Sequence, residues 1–130
     1  MNSSDVTAGT NATATNYNNL RKDVRNAVKD IQTATDGATV TFDLSLGCIF
    51  TVTLGGNRTL AISNATVGQS FIINLVQDGT GSRTVTWFST IKWPSGVTPT
   101  LTTTASKTDT FGFTVTSAGN YLGFIVGQNL

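Results

Sequence analysis

The chain contains no histidine and no glutamate, and Cys48 is its single cysteine. These absences narrow the chemistry sharply. Histidine is the commonest general base near neutral pH and the commonest transition-metal ligand. A zinc site draws on several Cys or His side chains. A Ser/His/Asp arrangement is therefore impossible, and no metal, cofactor or enzymatic activity is expected. Within the body of the chain the carboxylates are Asp36, Asp43, Asp78 and Asp109, far apart in sequence and placed where turns or strand rims use Asp. The run Asp78-Gly79-Thr80-Gly81-Ser82 lacks the alternating carboxylates of a calcium loop and reads as a hairpin turn. Cys48 sits in the apolar run Cys48-Ile49-Phe50 and reads as a small buried hydrophobe. No Gly-rich run leads into Lys-Ser or Lys-Thr, which a phosphate-binding loop requires. What remains is recognition by aromatic faces. Trp87, Phe88, Trp93 and Tyr121 are the aromatics suited to stacking on a sugar ring. Trp87 and Trp93 flank a break at Ser89-Thr90 and are the candidate glycan contacts, with core packing as the competing role.

Those residues need a framework, and the composition favours a β framework. The chain has 130 residues, 38% of them hydrophobic and 12% charged, with a net charge of +1. That fits one folded domain and lacks the basic footprint of a nucleic-acid binder. Thr supplies roughly a fifth of the residues, well above ordinary usage, and its branched Cβ suits a half-wet sheet face. No apolar stretch approaches the length of a membrane span. The start, Met1-Asn2-Ser3-Ser4-Asp5, has no basic region leading into an apolar run, so no signal peptide is expected and synthesis is placed in the cytoplasm.

The chain divides at about residue 32. Residues 1–15 form a polar arm of Ser, Thr, Ala, Asn and Gly. Residues 16–32 carry a helical pattern in which Tyr17, Leu20, Val24, Ala27 and Ile31 form one apolar stripe. The stripe fits either against the chain's own β domain or against other copies of itself. Arg21, Arg25 and Lys29 make a basic ridge beside it. Tyr17, Leu20, Arg21, Val24, Arg25 and Lys29 are accordingly the candidate attachment and interface residues. From 33 to 130 the pattern is strand after strand: 38–44, 48–54, a short piece at Leu60 and Ile62, 70–77, Val85–Trp87, Ile91–Trp93, 109–115 and 121–126. Residues 70–77 are apolar on both faces, which predicts a central strand covered on both sides. Gly55-Gly56-Asn57, Asp78 to Gly81 and Ala118-Gly119-Asn120 supply turn chemistry, and Pro94 and Pro99 bracket a loop. No internal repeat stands out. The expected fold is mainly β, a jelly-roll-like antiparallel β-sandwich of about eight strands, preceded by the arm and one short helix.

The β region resembles a domain common in structural proteins of tailed phages. The resemblance lies in Ala38-Thr39-Val40-Thr41-Phe42-Asp43-Leu44, Phe50-Thr51-Val52-Thr53-Leu54, Val76-Gln77-Asp78, Arg83-Thr84-Val85-Thr86-Trp87, Lys92-Trp93-Pro94 and Gly123-Phe124-Ile125-Val126-Gly127. The helical string Asn16-Tyr17-Asn18-Asn19-Leu20-Arg21-Lys22-Asp23 is similar to phage sequences as well. The resemblance implies a non-enzymatic virion protein acting as a homotrimer, and it identifies no site residue. Two roles follow from it as expectations. The first is a capsid decoration, or cement, protein that docks on the major capsid protein through its arm and helix. The second is the receptor-binding tip or spike of a tail fibre that recognises host-surface glycans. Neither role involves nucleic acid or membrane.

Overall fold

The computed structural model describes residues 31–130. The arm at 1–15 and the stripe and ridge residues Tyr17, Leu20, Arg21, Val24, Arg25 and Lys29 lie outside the described residues. The helix expected over 16–32 touches them only at its end, where Gln32 belongs to a strand instead. Among the described residues there are nine strands: β1 (Gln32–Thr33), β2 (Thr39–Asp43), β3 (Ile49–Leu54), β4 (Arg58–Ser63), β5 (Ser70–Gln77), β6 (Val85–Thr86), β7 (Ile91–Lys92), β8 (Thr108–Ser117) and β9 (Asn120–Gly127). A single 3-10 turn, Pro94–Gly96, lies within the loop that the two prolines bracket.

The strands form two sheets, ordered β1-β3-β5-β8-β9-β7 and β2-β4-β6. The mainly β, two-sheet reading therefore holds, but the strand pairing does not follow the expected antiparallel pattern. β1 with β3, β3 with β5, β2 with β4, β4 with β6 and β7 with β9 are parallel, and only β5 with β8 and β8 with β9 are antiparallel. From β1 to β6 the chain alternates between the two sheets, so it winds as a short parallel coil. The β8–β9 hairpin then takes up the edge of the last coil. The reason for the discrepancy lies in the turns. Gly-, Asn- and Asp-rich segments say that the chain changes direction, not which strand it pairs with next. Ala118-Gly119-Asn120 does close a hairpin. Gly55-Gly56-Asn57 and Asp78 to Thr84 instead carry the chain across to the facing sheet.

Polar side chains stack successive turns on one another. Asp36 in the first coil accepts two hydrogen bonds from Arg58, at 2.8 and 3.0 Å, and one from the Gly55 backbone N–H in the second. A Cβ at Gly55 would lie 2.7 Å from that same carboxylate, so the contact needs glycine there. Asn57 passes the ladder on by accepting the Thr84 N–H. On the opposite rim Asp43 accepts from Asn64 and Ser45, and Gln69 donates to the Leu44 carbonyl.

The core follows the period-two alternation of the strands. Val40, Phe42, Phe50, Val52, Leu54, Leu60, Phe71, Ile73, Leu75, Phe111, Phe113 and Val115 are all buried between the sheets. The three-stranded sheet is too narrow to cover β8 and β9. Aromatic side chains from the β6–β7 region take over there: Trp87 packs on Phe111 with ring centroids 4.9 Å apart, and Phe88 packs on Phe113 and Tyr121. β5 departs from expectation on its outward face. Phe71, Ile73 and Leu75 are buried inside, but Ile72 and Val76 are only half-buried, and no described residue lies over them as a further layer.

Candidate functional site

The strand β6 and its flanks position the candidate aromatic residues. Arg83, Val85 and Trp87 share one side of an extended segment by period-two spacing. Trp93 follows β7 and turns inward, because Gly123 on β9 leaves room for it. A Cβ at Gly123 would sit 2.9 Å from both Cε3 and Cζ3 of the Trp93 ring. The two tryptophans meet edge to face, with centroids 5.1 Å apart and planes at 65°. They differ in access. Trp93 is only 8% exposed and packs against Phe111 and Phe113, so its ring faces serve the core and not a stacked ligand. Trp87 is half-buried and borders a groove.

That groove holds about 160 Å³. One wall is Arg83, Thr84, Val85 and Trp87, and the other is Pro99, Thr100, Leu101 and Thr103. Two buried polar residues hold the walls in place. Gln77 donates to the carbonyls of Arg83 and Thr102 and accepts the Arg83 N–H, so a single side chain bridges both walls. Asp109, 3% exposed, accepts the Thr102 N–H at 2.6 Å along with donors from Gln128 and Asn129. The loop wall is thereby held without regular secondary structure. Gly81 adds to this, since its φ of +74° and the Thr103 carbonyl beside it exclude a side chain.

The charge at the groove is fixed in place. Arg83 makes a bidentate pair with Asp78, with Nη2 2.9 Å from Oδ2. Asp78 also accepts the backbone N–H groups of Thr80 and Gly81, so its side chain organises the turn. The Arg83 hydrogen bonds, followed by those backbone donors, hold the Asp78 carboxyl down to about 2. Asp36 is likewise lowered, chiefly by Arg58. Among the described residues no cluster of His, Cys, Asp or Glu could hold a metal ion. A second, shallower hollow of about 350 Å³ lies between Leu60, Ala61, Ile62, Phe88, Ser89, Gly119 and Tyr121.

Of the two candidate tryptophans only Trp87 borders the groove, and the rest of its lining gave no signal that was read from the sequence. Arg83 and Val85 were findable, since they alternate with Trp87. The Pro99–Thr103 wall had no comparable signal, because hydrogen bonds to Gln77 and Asp109 place it. Residues 47–121 match the sequence family described as "Putative phage tail fibre C-terminal domain". The chain belongs to that family. No curated protein and no solved structure matches it. The matched span runs from just before β3 into β9 and includes both groove walls. The tail-fibre domain is thus a structural component of a tailed-phage virion. None of its described helical segments is long and apolar enough to cross a membrane.

Proposed function

We propose that this tail-fibre domain is a non-enzymatic receptor-binding module that works as a homotrimer and contacts glycans on the host surface. The family match over residues 47–121 carries this reading. The groove beside Trp87 supports the ligand class. It offers a partly open indole, apolar side chains from Val85 and Leu101 on its two walls, and polar groups from Thr84, Thr100 and Arg83. An aromatic face with nearby polar groups suits a sugar ring, which has apolar C–H faces and hydroxyl edges. The capsid-decoration role depends on the arm and the helix, which lie outside the described residues, and no feature of the described fold favours it.

The test is binding of the purified full chain to host cells and to polysaccharide extracted from their surface. Specific binding is expected, and Trp87→Ala is expected to weaken it by roughly tenfold or more, the size of loss typical of a central aromatic contact. Near-UV circular dichroism reports whether that variant keeps its fold. Absence of binding to either surface, or full binding by a folded Trp87→Ala variant, counts against the groove.

A further inference from the structure

The outward face of the six-stranded sheet carries a row of apolar residues among uncharged polar ones. On β3 the outward residues are Ile49, Thr51 and Thr53, and on β5 they are Ser70, Ile72, Asn74 and Val76. β8 adds Thr110, Gly112 and Thr114, and β9 adds Leu122 and Phe124. The register sets Ile49, Ile72, Gly112 and Phe124 side by side in one row across four strands. The Phe124 ring lies over the Gly112 backbone, where a Cβ would come within 2.6 Å of its Cζ. Leu122 and Phe124 are nonetheless 45% and 46% exposed. At about 4.8 Å per strand the face is some 15–20 Å wide, large enough to rank with the patches that mark interaction sites.

Two observations say what covers it. First, none of these outward residues on β3, β5, β8 and β9 is charged, and Lys92, paired with Leu122, stands only at the margin. Second, polar side chains on the face bond to one another. Thr110 donates to Asn74 at 2.7 Å, and Ser70 and Thr114 share a hydrogen bond at 3.1 Å. An uncharged face whose polar side chains partly satisfy one another fits an equally neutral surface. The described fold presents such a surface here: the outward side of the other sheet is short and carries Asp43 among Thr, Ala and Ser. Residues 1–30 carry seven charged residues, so only their apolar stripe matches an uncharged face, and mixing the charge variants below separates that occupant from a second copy.

We infer that this face packs against the same face of other copies of the chain, with Phe124 at the contact. This rests on the multi-copy part of the reading above and is independent of the glycan groove. It also gives Ile72 and Val76, on the outward side of β5, a surface to pack against.

The test is the mass of the full chain in solution by light scattering, for the wild type, Phe124→Asp, Phe124→Lys and an equimolar mixture of the two variants. The wild type is expected to be multimeric at micromolar concentration. Each variant alone is expected to associate roughly a hundredfold more weakly, because like charges then meet in a desolvated contact. The mixture is expected to regain part of the assembly, since opposite charges then meet at two of the three contacts of a mixed trimer. Circular dichroism confirms that each variant is folded. Variants that assemble like the wild type would overturn the assignment of this face while leaving the multi-copy reading intact. A monomeric wild type would overturn both. Assembly lost in the variants but not restored on mixing would show that the face meets a different surface.

Discussion

Gly123 is the position where one added methyl group asks most of this core. Its missing side chain is what lets Trp93 lie flat beneath β9. A Cβ there would stand 2.6 Å from Cγ2 of Ile91 and 2.9 Å from two carbons of the Trp93 ring. Ordinary carbon–carbon contacts lie at about 3.5–4.0 Å, so the indole would have to retreat by roughly 0.6–1 Å. It has little freedom to do so. Trp87 stands 5.1 Å away, Phe113 5.6 Å and Phe111 6.0 Å, centroid to centroid. Overpacking of this kind costs about 1–3 kcal/mol, and the enclosed ring places Gly123→Ala in the upper half, about 2–3 kcal/mol. With the urea dependence typical of small domains, the unfolding midpoint should fall by about 1 M. Trp93→Phe removes the outer part of the indole and should make room. In the double variant the two costs should therefore sum to less than their separate values by at least about 0.5 kcal/mol. Urea unfolding followed by circular dichroism, at one protein concentration for all four proteins, measures each corner of the cycle. An unchanged midpoint in Gly123→Ala, or strict additivity in the double variant, would refute the account of why Trp93 is buried.

Other perturbations follow from the clamps around the groove and from the turn ladder. Asp109→Ala strands the Thr102 and Asn129 N–H groups, which should cost roughly 2–4 kcal/mol and speed hydrogen exchange at both amides. Unchanged exchange at Thr102 would count against the clamp. Gly81→Ala combines a left-handed backbone with a Cβ 2.5 Å from the Thr103 carbonyl, so a loss of at least about 2 kcal/mol is expected, together with weaker ligand binding, because the loop wall shifts. Binding at wild-type strength would mean that the wall does not shape the site. The carboxyls of Asp78, Asp36 and Asp43 are all held below 3.8, the first at about 2. The stabilisation from such groups is fully present above the unfolded value and disappears as pH falls through the folded one. The urea midpoint should therefore hold steady from neutral pH down to about pH 5 and then decline towards pH 2, and a flat profile through that interval would contradict these assignments.

The strands were legible in the sequence and their partners were not. Val40, Phe42 and Leu44, or Phe71, Ile73 and Leu75, announce themselves by alternation because each strand has one face in the core. β1 escaped because Gln32-Thr33 is too short to alternate. The coil escaped because its turns differ in length. Gln32 pairs with Phe50, Thr39 with Thr59, Ile49 with Ile72 and Arg58 with Val85, so each circuit is longer than the one before and no fixed period results. At the site the difficulty was burial. Trp87 and Trp93 are alike on paper, and what separates them is a glycine thirty residues further along, as well as a loop wall held by Gln77 and Asp109. Side-chain type marked the residues that could recognise a ligand, while their access depended on long-range contacts.

The coil also sets which parts of the protein are free to change. Its pairing is settled by the sheets, while the Arg83–Thr84 part of one groove wall and the whole of the other, Pro99–Thr103, lie outside the strands. A substitution in either of those two segments would leave the register of β3, β5, β8 and β9 untouched, provided that Gln77, Gly81 and Asp109 keep their contacts. The architecture therefore separates a fixed winding from two segments that can vary, which on the receptor-binding role proposed above would be where specificity changes. Under selection by a changing host surface, sequence drift should accumulate in those two segments first, while the neutral outer face and the inward aromatic rings stay fixed.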